Sequence, residues 1–442
     1  METGMPKIRW IPINALKPHP RNARTHAKVQ IRQIANSIER FGWTSPIVAD
    51  EEGYILAGHG RHEAAKHLKL SKVPVIVVAG LNDGEKRALM LADNKIASNA
   101  GWDRAALAAE LGELATLLPE LNLNVEITGF ATAEVDNLIS DLGDAGSDPS
   151  DKLPPIDPSP VTRPMDLWRL GDHRLLCADA TDARSFKLLM RGRPANVVFS
   201  DPPYNIPTTK VQGRGKTKYR NFVQGSGELS PEKFARFLRT ALSNARDHST
   251  DGSLHYWFTD WRQIRLLLEV GEDVYQRLVN IIVWAKPNPG LGDIYRSGHE
   301  LICLFQNGNA KAVNNVVLGK FGRNRSNVWS YPNRNSFQAG RQGFVDHPTP
   351  KPIQLVADAI RDCTRRGDVV LDPFMGSGTT ILAAEQLGRR AYGLEIDALY
   401  VDLSIRRWQA HTGRDAILKS TGQTFDEVAN ERSARIRIRR AK

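Results

Sequence analysis

Cysteine is scarce in this chain of 442 residues. Only Cys177, Cys303 and Cys363 occur, and they lie far apart. That spacing supports neither a disulfide framework nor a C-x-x-C metal site. Long apolar runs are missing too, so a transmembrane helix is not expected. Met1 to Trp10 lacks the apolar core of a signal peptide, and the expected location is the cytoplasm. Acids are outnumbered: 60 Lys and Arg face 49 Asp and Glu, for a net charge of +11 and a pI of about 9.5. A basic excess points to a polyanionic partner. Clustered carboxylates are also lacking. Asp50, Glu51, Glu52 and Glu63 are the acids of residues 50–63 and most sit in a turn, so metal-dependent cleavage is not expected there and no metal is assigned. What is present, 41% hydrophobic and 25% charged residues, is the make-up of a soluble globular protein of two to three domains.

Residues 1–100 show a compact α+β pattern. Strands are expected at Ile8–Ile13, Pro46–Ala49, Tyr54–Ala57 and Val73–Val78. Helices are expected at Val29–Phe41, with Ile31, Ile34, Ile38 and Phe41 at helical spacing, and at Glu85–Ile96. Between them Gly58-His59-Gly60-Arg61-His62-Glu63 reads as a glycine turn opening a helix, a setting suited to phosphate. Residues 101–142 form a helical connector in which Leu107, Leu111, Leu114 and Leu118 make a core stripe. Residues 143–164, rich in Asp, Pro, Ser and Gly, read as a linker. From 165 to 412 strands and helices alternate, the signature of an α/β domain with a mostly parallel sheet and helices on both faces. Two polar, basic stretches interrupt it, 206–227 and 307–346. Residues 413–442 read as a basic tail.

Two stretches carry chemistry. The first is the apolar strand Asn196–Ser200 running into Asp201-Pro202-Pro203-Tyr204. The prolines remove N–H donors and fix φ, so the backbone cannot continue a ladder or a helix. Free carbonyls, the Asp201 carboxylate and the Tyr204 ring together suit a planar amine. The second is Asp368–Asp372 followed by Pro373-Phe374-Met375-Gly376-Ser377-Gly378-Thr379, then the strand Arg390–Leu394 with Glu395 at its end. Strand, glycine turn, helix and an acid about 20 residues on form the layout of a nucleoside-cofactor site, in which the acid holds ribose hydroxyls. No lysine follows Gly378, which disfavours a P-loop, and Ile381 stands where a dinucleotide fingerprint needs glycine.

Taken together, Asp372-Pro-Phe-Met-Gly-Ser-Gly378, Asp201-Pro-Pro-Tyr204 and His347-Pro-Thr-Pro-Lys351-Pro resemble the DNA amino-methyltransferases that use S-adenosylmethionine. The acceptor box precedes the cofactor box, as in the beta group of that family. Trp284-Ala-Lys-Pro-Asn288 and His299-Glu300 match as well, and the resemblance covers about residues 167–410. It implies a Rossmann-like methyltransferase domain. Asp201, Pro202, Pro203 and Tyr204 are implied as catalytic. Asp372, Pro373, Phe374, Gly376, Ser377, Gly378, Thr379, Glu395, Asp179 and Lys351 are implied around the cofactor. Lys210, Arg214, Lys216, Lys286, Arg323 and Arg325 are candidates for contact with double-stranded DNA, with 307–346 as a target-recognition insert. Residues 7–97 resemble the N-terminal domain of the ParB-like nuclease and sulfiredoxin superfamily. Its Gly-Glu-Arg-Arg box is only partly matched by Gly58, His59, Arg61 and His62. The partition branch implies CTP there. The sulfiredoxin branch needs a reactive cysteine, and none lies in this domain.

Cytosine carbon-5 methylation needs a cysteine after proline, and none of the three cysteines has one. An exocyclic amine remains, taken from a flipped base. Asp rather than Ser at 201 leans towards adenine N6; cytosine N4 needs the same chemistry. The expected activity is site-specific DNA adenine methylation of the restriction-modification type, with a homodimer as the oligomeric expectation. The competing class is a ParB-like, nucleotide-dependent DNA-binding protein with an accessory methylase half.

Overall fold

A computed structural model describes residues 7–121, 123–141, 159–206, 223–287, 289, 294–316, 325–331 and 351–440. The chain divides into two units, 1–143 and 144–442.

In the first unit the strands are β1 (Ile8–Pro12), β2 (Lys17–Pro18), β3 (Ile47–Asp50), β4 (Tyr54–Ala57) and β5 (Lys72–Val78), in the order β1-β5-β3-β4-β2. The helices are α1 (Lys28–Phe41), α2 (His59–His67), α3 (Asp83–Asn99), α4 (Arg104–Leu117) and α5 (Thr132–Asp141). Local chemistry sets their ends. Gly58, at φ +93°, turns the chain from β4 into α2. At α3 the Asn82 side chain accepts from the Glu85 N–H at 3.0 Å, and Glu85 accepts from the Asn82 N–H at 2.9 Å, a reciprocal cap. This cap starts α3 earlier than apolar spacing alone predicts. Ile13, Leu16, Ile47, Ile55, Val73 and Val75 form the sheet core. The leucine stripe is a core of its own: Leu111, Leu118, Val125 and Val135 are buried together.

Among the described residues, the second unit holds a ten-stranded sheet. Its strands are β6 (Leu167–Leu170), β7 (His173–Cys177), β8 (Ala195–Ser200), β9 (Ser249–Thr259), β10 (Arg277–Ala285), β11 (His299–Gln306), β12 (Val328–Ser330), β13 (Val369–Asp372), β14 (Arg390–Glu395) and β15 (Ile417–Leu418). The order is β12-β10-β11-β9-β8-β13-β14-β7-β6-β15. The central run β9-β8-β13-β14-β7 is parallel. Antiparallel β11 and β6 flank it. The helices are α6 (Ala183–Met190), α7 (Pro231–Asp247), α8 (Ile264–Val274), α9 (Ile353–Cys363), α10 (Thr379–Gln386), α11 (Ala398–Thr412) and α12 (Phe425–Arg440).

Period-two patterning places both helical layers. Val197 and Phe199 of β8 and Tyr256 and Phe258 of β9 pack with α9, α10 and α11. Val198 and Trp257 pack with α6, α7 and α8 on the other face. Each such side chain gains roughly 1.5–3 kcal/mol by burial, and a one-residue slip would exchange the two faces, so register is fixed. The path from β8 leads to β9 on one side, and that from β13 leads to β14 on the other. The chain therefore switches direction between β8 and β13, where the carboxyl ends of parallel strands leave a crevice.

The expectation of a tail from residue 413 fails. β15 pairs with β6, and Phe425 and Val428 are buried in the core. Phe425 lies 5.2 Å from the Trp168 ring. Arg432 donates to Asp166 and to the Val161 carbonyl, each at 2.6 Å. The stretch is basic in sum, but its apolar residues sit at spacings that cover an open sheet edge.

Candidate active site

The acceptor half stands at the carboxyl end of β8. Its strand leaves Asp201 with 25% side-chain exposure. The Tyr204 hydroxyl donates to Asp201 Oδ1 at 2.6 Å. The Lys351 ammonium donates to Asp201 Oδ2 at 2.5 Å. Glu300, near the start of antiparallel β11, reaches the same end of the sheet. Its Oε2 lies 2.9 Å from Lys351 Nζ and 3.3 Å from the Tyr204 hydroxyl. Its Oε1 accepts from Lys286, which follows β10. Two acids, two ammonium groups and one phenol thus meet in a pocket walled by Phe258 and Trp284.

Burial here opposes every charge. It raises the Asp201 carboxyl above its ordinary value, with the Lys351 ammonium working the other way. For Glu300 burial is outweighed by Lys351 and Lys286, which hold it down to about 2. For Lys351 burial is outweighed by Asp201 and Glu300, which hold the ammonium above its usual range. Burial with the neighbouring carboxylates keeps Tyr204 a phenol.

The glycine half is built from backbone. Gly376 and Gly378 have φ of +54° and +81°, and Gly378 opens α10. A Cβ at Gly378 would lie 2.8 Å from Ser404 of α11, so only glycine fits that close approach. Glu395, at the end of β14, accepts from the Gly376 N–H and the Asp397 N–H, each at 2.8 Å. Burial pushes its carboxyl up to about 7, against those two bonds. Donors of a glycine turn, a helix N-terminus and an acid at the next strand end fit a ribose and a carboxylate.

Several residues serve differently from their sequence assignment. Asp372 faces inward: Ser200 donates to Oδ1 at 2.7 Å, Thr380 to Oδ2 at 2.6 Å and the Phe374 N–H to Oδ1 at 3.1 Å. It ties the two halves together rather than presenting a free carboxylate, and burial raises it to about 6. Ser377 and Thr379 turn their side chains to Arg407 of α11, whose guanidinium also takes the Ser377 carbonyl at 2.5 Å. What they can offer a cofactor is backbone. Pro373 is buried; Phe374 is half-buried, 5.7 Å from Phe237. Asp179 accepts from Thr181 and from Gln224, so it caps a turn and pins the returning end of the 206–227 stretch. Lys351, assigned from sequence to the cofactor, instead holds Asp201 and Glu300.

Among the DNA candidates, Lys286 is drawn into the acceptor pocket by Glu300. Arg325 is also internal. It lies 3.3 Å from both Asp358 and Asp362 and 4.6 Å over Trp329, a scaffold role that removes it from the surface. Lys210, Arg214, Lys216 and Arg323 lie outside the described residues, as does most of the 307–346 insert.

Sequence reasoning missed Ser200, Ser404, Arg407 and Asn205. The first three work through neighbours distant in the chain and carry no local signal. Asn205 has φ +53°; it donates to the Leu229 carbonyl at 2.8 Å and accepts from the Gly227 and Leu229 N–H groups. An asparagine, a residue that tolerates left-handed backbone, directly after Pro-Pro-Tyr was the available clue.

In the first unit, Gly58, His59, Gly60 and Arg61 line a cavity of about 140 Å³ with Arg24, His26, Gln30, Ile34, Asn94 and one acid, Asp93. Arg61 donates to the Pro46 carbonyl at 2.7 Å. Burial and the neighbouring His26 and His19 push His59 down to about 4, so it is neutral. His62 does not reach this cavity: it is 1% exposed, a core histidine of α2.

A switch-point crevice with a glycine turn on one side and the Asp201 loop on the other marks a doubly wound domain whose ligand site lies at the carboxyl ends of its strands. Comparison with known proteins gives the family. A model described as DNA methylase, of the N6/N4 type, matches residues 195–406. A ParB N-terminal domain model matches 2–95, and a ParB-methyltransferase HTH domain model matches 105–164, across the stretch read from sequence as connector and linker. The ParB-like nuclease domain-containing protein YnaK of Escherichia coli (strain K12) is 51% identical over 81 residues, 18% of this chain and 93% of that protein. The type II methyltransferase M2.DpnII of Streptococcus pneumoniae is 28% identical over 246 residues, 51% of this chain and 87% of that protein. The solved PvuII DNA methyltransferase (cytosine-N4-specific) is 15% identical, with a TM-score of 0.41 over 62% of this chain and 94% of its own, too loose a likeness to assign a base. The chain belongs to the N6/N4 DNA methylase family, fused to a ParB-like N-terminal domain.

Proposed function

We propose that the chain transfers a methyl group from S-adenosylmethionine to the N6 amine of adenine in double-stranded DNA. The carrying observation is Asp201 held at the end of β8, across the switch point from the glycine turn after β13. The cysteines support an amine target over ring carbon. Cys177, Cys303 and Cys363 are buried, and burial pushes each thiol up to about 12, so none supplies a thiolate nucleophile.

When bound, the cofactor supplies a methyl group activated on a sulfonium. Glu395 and the 376–378 backbone would hold it. Asp201 and the Pro202 carbonyl would accept the two amine hydrogens, favour pyramidal nitrogen and free its lone pair, stabilising charge as it develops. Asp201, whose carboxyl burial has raised, then takes the proton that the methylated nitrogen releases. Tyr204 turns its ring onto the flipped base, which offsets a few kcal/mol of unstacking.

Digesting unmethylated DNA to nucleosides after incubation with S-adenosylmethionine tests this. N6-methyladenine is expected; N4-methylcytosine would change the base, and unmodified DNA would overturn the reading. Binding should weaken steeply between 50 and 200 mM salt if basic side chains meet phosphates.

For the first unit we infer an anionic nucleotide in the cavity beside Gly58 and Gly60, with Arg24 and Arg61 lining it and CTP as the ligand to try. Isothermal titration with CTP should show saturable binding; its absence would remove this ligand.

A further inference from the structure

We propose that Glu300 is a positioning residue: it takes over Lys351 and the Tyr204 hydroxyl when the target amine claims Asp201. This rests on the methyl-transfer reading above and adds to it a residue and a sequence of contacts. As the pocket stands, both Asp201 oxygens are engaged, Oδ1 by the Tyr204 hydroxyl at 2.6 Å and Oδ2 by Lys351 at 2.5 Å. An amine that must donate to Asp201 competes with them. The Tyr204 ring must also move to lie against a base. If these groups let go without another partner, a buried ammonium and a buried hydroxyl are stranded. Lys351 is 7% exposed, so water does not rescue it.

Glu300 supplies the second partner. Its Oε2 already stands 2.9 Å from Lys351 and 3.3 Å from the Tyr204 hydroxyl. Both groups therefore have an acceptor on each side, the near one Asp201 and the far one Glu300. Lys286 holds the other Glu300 oxygen and keeps the carboxylate aimed inward. Trp284, paired opposite Glu300 across β10 and β11, and Phe258 lie against the Lys351 ammonium, at 5.7 and 4.9 Å. Lys351, already within 2.5 Å of one carboxylate and 2.9 Å of the other, can thus pass between them without entering water.

With Glu300 neutral, Lys351 has only Asp201 for a counter-charge and grips it more tightly. The target amine then loses its acceptor. The test is Glu300→Gln, which keeps shape, assayed under single-turnover conditions with labelled S-adenosylmethionine and unmethylated bacterial genomic DNA. The expected result is a 10- to 100-fold slower transfer, with cofactor and DNA dissociation constants within about twofold of the parent and an unchanged far-UV circular dichroism spectrum. Transfer at the parental rate would overturn the proposal, as would a slow variant whose loss lies entirely in binding. Glu300→Gln combined with Lys286→Met restores the net charge of the pocket. It should remain slow; recovery would show that charge balance alone matters and would overturn the exchange. If the parental protein itself methylates no amine, the activity assignment fails instead, and the two failures are told apart by that control.

Discussion

At the carboxyl end of β8, Asp201, Tyr204, Glu300, Lys286 and Lys351 meet through their side chains, and all but Lys286 have more than one partner within the cluster. At the carboxyl ends of β13, the next strand in the sheet, and β14 beyond it, the contacts are backbone N–H groups of a glycine turn, fixed from outside by Ser404, Arg407 and Asp372. Under the proposed function, the first region must rearrange when a target base arrives. The second receives a diffusible ligand of constant shape and has no need to. Charge is concentrated where partners exchange, and glycine where they do not.

The widest separation between the two regions should come from Asp201→Ala. It removes the acceptor and should cost about 10²–10³ in the rate of methyl transfer. Cofactor affinity, measured by calorimetry, should stay within about twofold. A matching loss of cofactor binding would mean that the regions act as one.

Ser200→Ala cuts the tie from β8 to Asp372 and leaves the Phe374 N–H as the remaining donor to Oδ1. A loss of about 1.5–3 kcal/mol in urea unfolding is expected, in line with a lost hydrogen bond to a charged group. Glu395→Gln should weaken cofactor binding about tenfold and change its pH dependence. The free Glu395 carboxyl titrates near 7, and Asp372 and Asp397 are the acids that face it. Ribose hydroxyls prefer the ionised acceptor, so parental affinity should rise from pH 6 to pH 8 and the variant should show a flatter profile. The linked stability has the opposite sign. A carboxyl raised on folding favours the native state below its unfolded value of about 4.5 and loses that contribution as pH rises through 7. Unfolding midpoints at pH 5 and pH 8 should therefore converge in Glu395→Gln. The smallest effect on DNA belongs to Arg325→Lys. It should lower the melting temperature yet leave DNA affinity within about twofold, because Arg325 meets Asp358 and Asp362 inside the fold.

Much of this was legible in the chain itself. Alternating apolar residues in 196–200 and 254–258 announce strands buried on both faces, and Asp201, Gly376, Gly378 and Glu395 each sit at a strand end or turn that local chemistry marks. The partnerships were not legible. Lys351 is separated from Asp201 by 150 positions, and nothing in a lysine between prolines says which acid it meets. Arg325 reads as one more cation in a basic stretch until the acids of α9 are brought beside it. Residues 413–434 were misread because charge dominates their composition, while the few apolar residues that decide their packing, Phe425 and Val428, are sparse. Local rules reported what each segment is. Only the folded sheet reported what each side chain is for.

Asn205 carries one more consequence. One side chain receives the chain as it leaves Tyr204 and again where it returns at Gly227 and Leu229. Gln224, donating to Asp179, fastens the returning end a second time, so the chain is anchored on both sides of the insertion. Lengthening such a loop adds only about 0.6 kcal/mol per doubling of its length. A change of length between the two fastenings should therefore leave Asp201, just before Asn205, in place.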